Sequence, residues 1–205
     1  MCLVATEDVL SEAVVLKLLM DRMVDLQSVT TLREGGFGYL RRNVKKFSAA
    51  VRNGRSVFML TDLDACPCAP SMKAEWFASA ALPEKFLFRI AVREIETWIM
   101  SDTEALASFL GISPAKIRQD VENIIDPKRY LLKLAQKGHR DIQKDLLPKK
   151  GALALQGFGY NQRLTDFVRN HWSPMRAGEN SPSLMRTLLR LETWISGFQS
   201  KTKVL

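Results

Sequence analysis

Apolar and polar positions in the first hundred residues alternate between the period of a strand and the period of a helix. The short apolar or β-branched runs typical of strands are CLVAT (2–6), SVTTLR (28–33), SVFMLTD (56–62) and KFLFRIAV (85–92). The stretches with apolar residues at helical spacing are 9–23, 39–53 and 71–81, and another helix begins near residue 94. The pattern therefore predicts repeated strand–helix–strand units.

Repeated strand–helix units at this spacing favour a parallel sheet whose crossovers are right-handed. We predict an α/β, Rossmann-like fold with a central, mainly parallel sheet flanked by helices. In such sheets, ligands bind beyond the carboxyl ends of the strands, where the strand order reverses. Residues that directly follow the strands are therefore the first candidates for a functional site.

The second half of the chain lacks strand patterns and carries helix-start signals instead. Ser or Asp followed by Pro, a typical first turn of a helix, occurs at 113–114, 126–127 and 181–182. A glycine-interrupted stretch at 149–163 is typical of a loop. We predict an α/β core over residues 1–110 and a helical, basic extension over residues 111–205 that packs on this core as one structural unit.

Three acidic residues follow predicted strands. Asp62 and Asp64 come at the end of the third strand, and Glu7 follows the first. Because the carboxyl ends of parallel strands meet at one edge of a sheet, we expect these carboxylates to lie close together. Mg²⁺ prefers carboxylate, water and phosphate oxygens as ligands. We therefore predict that Glu7, Asp62 and Asp64 bind Mg²⁺ (or Mn²⁺); the alternative is that all three are surface turn residues.

The same acids resemble the signature of the Toprim family, the metal-binding domain shared by topoisomerases, bacterial primases and overcoming-lysogenization-defect nucleases. That family has a Glu after its first strand and an Asp-x-Asp after its third, matched here by Glu7, Asp62 and Asp64. The resemblance covers residues 1–135 and implies a Toprim fold with metal-dependent chemistry on phosphodiester bonds. One position departs, because Asp8 replaces the Gly that lets the family's first loop approach a phosphate closely.

More narrowly, the chain resembles small stand-alone Toprim-like bacterial proteins, some of which are found beside ATPases in phage-defence loci. Their E-x-W signature with a following Asp is matched by Glu96, Trp98 and Asp102 in EIETWIMSD, and their DPK helix start by residues 126–128. The resemblance implies that Glu96 is a fourth metal ligand and that Lys128 contacts nucleic acid. It also implies an antiviral defence role and an ATPase partner. The alternative for Glu96 is a solvated helix start.

Basic charge is concentrated in the C-terminal part of the chain. Residues 1–125 carry 15 Lys and Arg against 16 Asp and Glu, whereas residues 126–205 carry 15 against 6. Such asymmetry makes nucleic acid a leading candidate partner. The predicted nucleic-acid contacts are Arg41, Arg42, Lys45, Lys46 and Lys128. The alternative for the basic stretch 41–46 is a solvated helix face.

These features predict a Mg²⁺-dependent nuclease, a hydrolase that cleaves phosphodiester bonds of DNA or RNA. Asp62 and Asp64 would hold the cation, and Glu7 would bind it or accept a proton from the attacking water. Two alternatives remain open. One is a catalytically inactive, nucleic-acid-binding Toprim-like subunit, and the other is a receiver-like domain in which Asp62 or Asp64 accepts a phosphoryl group.

The remaining features concern the protein's location and its partners. Three cysteines in 205 residues do not form a disulfide framework, which favours a reducing compartment. The chain has neither a signal-peptide pattern nor a run of about 18 uncharged apolar residues. We therefore expect a cytoplasmic bacterial protein with no membrane partner, and a second copy of this chain (a homodimer) is a candidate partner.

Overall fold

The computed structural model describes residues 1–33 and 35–199, so the last six residues of the predicted extension lie outside it. The strands are β1 (Cys2–Ala5), β2 (Val29–Leu32), β3 (Ser56–Asp62) and β4 (Phe86–Ala91). The α-helices are α1 (Val9–Met20), α2 (Gly36–Arg52), α3 (Ala69–Phe77), α4 (Ile95–Ser101), α5 (Thr103–Leu110), α6 (Pro127–Ala135), α7 (Arg140–Leu146), α8 (Tyr160–Asn170), α9 (Pro174–Asn180) and α10 (Pro182–Gln199). Short 3₁₀ helices lie at Leu26–Ser28, Pro114–Lys116 and Val121–Asn123.

The strands form one all-parallel sheet in the order β2-β1-β3-β4. Cys2 of β1 lies opposite Val29 of β2 on one side and opposite Ser56 of β3 on the other. The chain therefore leaves β1 in one direction and returns to its opposite side, which creates a switch point between β1 and β3. The predicted α/β class, with a parallel sheet flanked by helices and a helical C-terminal region, is confirmed.

Strand side chains alternate between two apolar cores, one on each face of the sheet. On one face, Val4 and Phe58 belong to a core shared with α1 and with helices α4 to α10. On the other face, Leu3 and Met59 belong to a core shared with α2 and α3. Because the central strands are covered on both faces, the four consecutive residues 57–60 are all fully buried and apolar.

Glycine and proline shift two helices from their predicted bounds. Helix α2 begins three residues before the predicted start, because Gly35 adopts a left-handed φ of 78° and turns the chain just before Gly36. Helix α3 begins two residues before the predicted start, with Pro70 in its first turn. It ends at Phe77, because Ala78 has a φ of 48°.

The helix predicted to begin near residue 94 is two helices that meet at Asp102, whose φ of −81° and ψ of 73° are not helical. The side chain of Asp102 is buried and accepts hydrogen bonds from the Ser173 amide (2.7 Å) and from the Arg176 guanidinium (2.9 and 2.8 Å). Asp102, part of the motif that resembles the stand-alone Toprim-like proteins, therefore connects α4 and α5 to α9.

The C-terminal helices share hydrogen bonds with the α/β core as well as apolar contacts. The indole Nε1 of Trp98 donates to Ser183 Oγ over 2.7 Å, and the indole of Trp172 donates to the Trp98 carbonyl over 3.1 Å. All of these groups are buried. In the part of the chain that the structure describes, no helix has the length and apolar character needed to cross a membrane.

Arg176→Ala should lower the free energy of unfolding by about 3 kcal/mol, because it leaves the buried Asp102 carboxylate without its cation. Urea unfolding at neutral pH measures the loss. The control is Arg118→Ala, which breaks an exposed ion pair with Asp120 and should cause no measurable change. Equal effects of the two substitutions would contradict this assignment.

Candidate metal centre

Glu7 and Asp62 meet at the switch point between β1 and β3. Asp62 is the last residue of β3, and its backbone amide donates to Glu7 Oε1 over 2.9 Å. The hydroxyl of Thr61 donates to the same oxygen. These two hydrogen bonds hold the Glu7 carboxylate against the end of β3, so the structure brings together two of the three acids that the sequence singled out.

Asp62 has an unusual environment for a carboxylate. Its Oδ1 atom is inaccessible to solvent and has no hydrogen-bond partner among the described residues. Burial, followed by the negative charges of Glu7 and Glu96, raises the pKa of Asp62 well above its ordinary value. The side chain therefore holds an unused ligand oxygen in a strongly negative environment.

Asp64 lies just beyond β3 in a strained turn. Its φ is 49° and that of Arg93 is 66°, and both values are uncommon for residues other than glycine. The two turns support each other, because the Asp64 amide donates to the Arg93 carbonyl (2.8 Å) and the Arg93 guanidinium donates to the Asp64 carbonyl (3.2 Å). The strained backbone keeps Asp64 close enough to contribute to the negative field at Asp62.

Asp8, at the position where Toprim proteins have a glycine, caps the N-terminus of helix α1. Its carboxylate accepts the Ser11 amide hydrogen bond at 2.8 Å, as N-cap residues do. Its φ of −147° and ψ of −178° are extended values that any residue adopts, so this loop does not require a glycine for conformational reasons. Asp8 also adds to the negative charge that raises the pKa of Asp62.

Glu96 reaches the same cluster from α4 and is only 3% exposed. The Tyr160 hydroxyl donates to Glu96 Oε1 over 2.8 Å, and Lys128 Nζ lies 3.6 Å from the same oxygen. Burial raises the pKa of Glu96, while Lys128 and Tyr160 act in the opposite direction. Lys128, predicted from the sequence to contact nucleic acid, thus has a carboxylate partner within the protein, and its ammonium also lies 5.2 Å from the centre of the Tyr160 ring.

Sequence reasoning missed Tyr160 and Glu94. The backbone amide of Lys128 donates to Glu94 Oε2 at 2.9 Å, which fixes the start of α6 beside the cluster. Tyr160 lies 64 positions beyond its partner Glu96. No local pattern links residues this far apart, so the contact appears only when α8 packs against the sheet core.

The predicted basic residues of α2 lie on its exposed side. They are Arg41, Arg42, Lys45 and Lys46. Arg41 forms an ion pair with Glu75 of α3, and the guanidinium of Arg42 lies beside Gly38. An exposed face of this kind agrees with either of the readings that the sequence left open, a phosphate contact or a solvated surface.

The donor chemistry at the switch point suits a hard cation. Within residues 1–33 and 35–199, no group of three or more His, Cys, Asp or Glu side chains is already arranged to hold a metal ion. Mg²⁺ does not require such a cage, because it usually takes one or two carboxylates and completes its shell with water and substrate phosphates. Asp62 Oδ1 provides one unpartnered carboxylate oxygen, and Glu7 and Asp64 add negative charge around it.

Comparison of the chain with protein-family models, with curated proteins and with solved structures yields no match. The likeness to Toprim proteins therefore depends on the motif residues described above.

Asp62→Asn should stabilise the protein in metal-free buffer at neutral pH. Because the pKa of Asp62 is raised in the folded state, its ionisation costs stability once the pH exceeds the ordinary value of 3.8. Each unit by which folding raises the pKa of Asp62 lowers the free energy of unfolding by about 1.4 kcal/mol at pH values above the folded-state pKa.

Urea unfolding in EDTA from about pH 4 to pH 8 tests the sign of this effect. The difference in free energy of unfolding between Asp62→Asn and the wild type should be near zero at the acidic end and should grow as the pH rises. The control is Asp120→Asn, because Arg118 lowers the pKa of Asp120 and the loss of that charge should not stabilise the protein. A destabilised Asp62→Asn variant at neutral pH would contradict the account.

Proposed function

We propose that this protein is a Mg²⁺- or Mn²⁺-dependent nuclease that hydrolyses phosphodiester bonds of DNA or RNA. The observation that carries the proposal is the buried, unpartnered Oδ1 of Asp62 among acidic neighbours at the sheet's switch point. Natural proteins satisfy most buried polar atoms, so an unpartnered carboxylate oxygen among acidic neighbours supports the presence of a ligand site. Of the ligands that such an environment favours, a divalent cation fits the oxygen donors best.

Each acid has a distinct part in the proposed mechanism. Asp62 and Asp64 would hold the ion, with Glu7 beside them. When bound, the ion would stabilise negative charge that develops on the phosphate oxygens. Burial raises the pKa of Glu7, so its carboxylate is a stronger base than an exposed glutamate and would accept a proton from the attacking water.

Glu96 is a positioning residue in this proposal. It is held by Tyr160 and Lys128 at the inner side of the cluster, and its charge contributes to the negative field at Asp62. That field favours a bound cation over a protonated Asp62 carboxyl. The Toprim resemblance adds a biological setting, phage defence under the control of a partner ATPase, as part of the same proposal.

The alternatives differ in what they require. The inactive nucleic-acid-binding subunit is favoured by one observation, the lack of a ready-made group of three ligands among the described residues. A receiver-like domain would need a lysine after a fifth strand, whereas the described residues form a sheet of four strands. We therefore favour the nuclease, with the inactive subunit as the second candidate.

The nuclease proposal predicts cleavage of single- or double-stranded DNA or RNA in the presence of Mg²⁺ or Mn²⁺ and none in EDTA. Asp62→Asn should reduce the rate at least about a hundredfold, because it removes the free ligand oxygen. The matched control is Asp141→Asn, which removes an exposed carboxylate on α7 and should leave the rate unchanged. Equal activity of the Asp62→Asn variant would exclude this site, and absence of cleavage in all proteins with binding retained would favour the inactive subunit.

Lys128→Gln should shift the acidic limb of the kcat/KM profile to higher pH. Lys128 lowers the pKa of Glu96, so its loss should leave Glu96 protonated at higher pH. Lys133→Gln is the control, because Lys133 is exposed on the same helix. A rise in KM at all pH values with no displacement of the limb would instead support the nucleic-acid contact that the sequence predicted for Lys128.

A further inference from the structure

A groove follows the outer edge of β4, between α3 and α10. It consists of two adjoining cavities of about 390 and 490 Å³ that share Lys73, Phe88 and Arg89. The first cavity extends toward Lys85 and Arg190, and the second extends toward Val92 and Arg186. We name this feature the β4-edge groove; it is separate from the cluster at the ends of β1 and β3.

The β4-edge groove gathers positive charge from three elements. Its cations are Lys73 of α3, Lys85 and Arg89 at β4, and Arg186 and Arg190 of α10. Within the described part of the chain, none of these five side chains forms an ion pair with a carboxylate. Among the described residues that line the groove, Glu84 at one end is the single acid.

Arg89 is the centre of this charge. Although it belongs to an edge strand, its side chain is half-buried, and its Nε donates to Thr187 Oγ1 of α10 over 3.0 Å. Burial and the nearby charges of Arg186 and Arg190 lower the pKa of Arg89 to about 10. Three guanidinium groups that repel one another in a partly desolvated groove would be stabilised by an anion.

The dimensions of the groove favour a polymer over a single small anion. The groove runs along β4 (Phe86–Ala91), which is about 17 Å long at a rise of about 3.3 Å per residue, and Lys85 and Val92 extend it beyond both ends of the strand. The groove lining also includes the exposed apolar side chain of Pro70, whereas Phe88 and Trp194 line the groove as buried side chains. Grooves that bind single strands combine cations for the phosphates with apolar or aromatic surface for the bases.

We propose that the β4-edge groove binds the backbone of a single-stranded nucleic acid. As a route to the acidic cluster, this inference rests on the proposed nuclease function. One end of the groove reaches Val92, which directly precedes the Arg93 that contacts the Asp64 backbone. A strand in the groove would therefore reach the acidic cluster from the side of β4, and the exposed face of α2 is not needed for this path.

The test is binding of a labelled oligothymidylate of about 16 nucleotides, measured by fluorescence anisotropy in EDTA. EDTA removes divalent cations, so no cleavage takes place. The measured affinity therefore does not depend on the metal centre. Arg186→Gln/Arg190→Gln should weaken binding about tenfold or more, because both side chains would contact phosphates. The slope of log affinity against log salt should fall by about 1.4, since each lost single-strand phosphate contact accounts for about 0.7.

The control variant is Arg140→Gln/Arg169→Gln, which makes the same change in charge at exposed positions of α7 and α8 and should bind as the wild type does. If the control variant weakened oligonucleotide binding equally, the loss would be explained by net charge alone, and the proposal would be overturned. Absence of binding by the wild type, equally tight binding of a duplex, or displacement of the oligonucleotide by inorganic phosphate at similar concentration would also overturn it. Sedimentation of the groove variant must stay unchanged, because a shift in oligomeric state would mean that these arginines control self-association at the β4 edge.

This experiment and the cleavage assay fail in different ways. If the groove variant lost binding and the wild type cleaved no substrate, the groove proposal would stand and the nuclease proposal would be rejected. Metal-dependent cleavage that requires Asp62, together with unchanged binding in the groove variant, would keep the nuclease and reject the groove.

Discussion

Negative charge concentrated around the half-buried carboxylate of Asp62 is the constraint on which the rest of this structure depends. Burying a charge is costly unless a partner offsets it, and Asp62 instead has Glu7, Asp8, Asp64 and Glu96 as electrostatic neighbours. The fold tolerates this cost at the point where parallel strands diverge, which is where α/β proteins place their ligands. A divalent cation bound at this site would offset the cost. Because it would bind only the folded state, it would also raise the free energy of unfolding of the protein.

The surrounding elements hold the cluster in place. The strained turns at Asp64 and Arg93 join the ends of β3 and β4, and the C-terminal helices supply Lys128 and Tyr160 to Glu96. The helical region is thus part of the site as well as part of the core. Two basic residues of the helical region, Arg186 and Arg190, also lie at the outer edge of β4, close to Arg89. The acidic cluster lies at the carboxyl ends of the central strands, and the basic groove follows the outer edge of β4.

The elements that could be predicted from the sequence are those with strong local signals. The third strand was predicted with its observed bounds, because a central parallel strand is apolar on both faces and ends at Asp62. The break at Asp102 was missed, because it depends on Ser173 and Arg176 more than 70 positions away. The same reason explains why neither the contact of Tyr160 with Glu96 nor the convergence of arginines on β4 could be predicted. Local patterns identify candidate acids, whereas partners that come from distant helices emerge only from packing.

The most direct test of the central claim is Mn²⁺ binding, followed by the loss of the free-ion signal in electron paramagnetic resonance. The measurement needs no substrate and no partner protein, so it addresses the cluster alone. The account predicts that the wild type and Asp141→Asn bind Mn²⁺ and that folded Asp62→Asn does not. A wild type that binds no Mn²⁺, or an Asp62→Asn variant that binds it as tightly as the wild type, would contradict the claim that this carboxylate is a cation ligand.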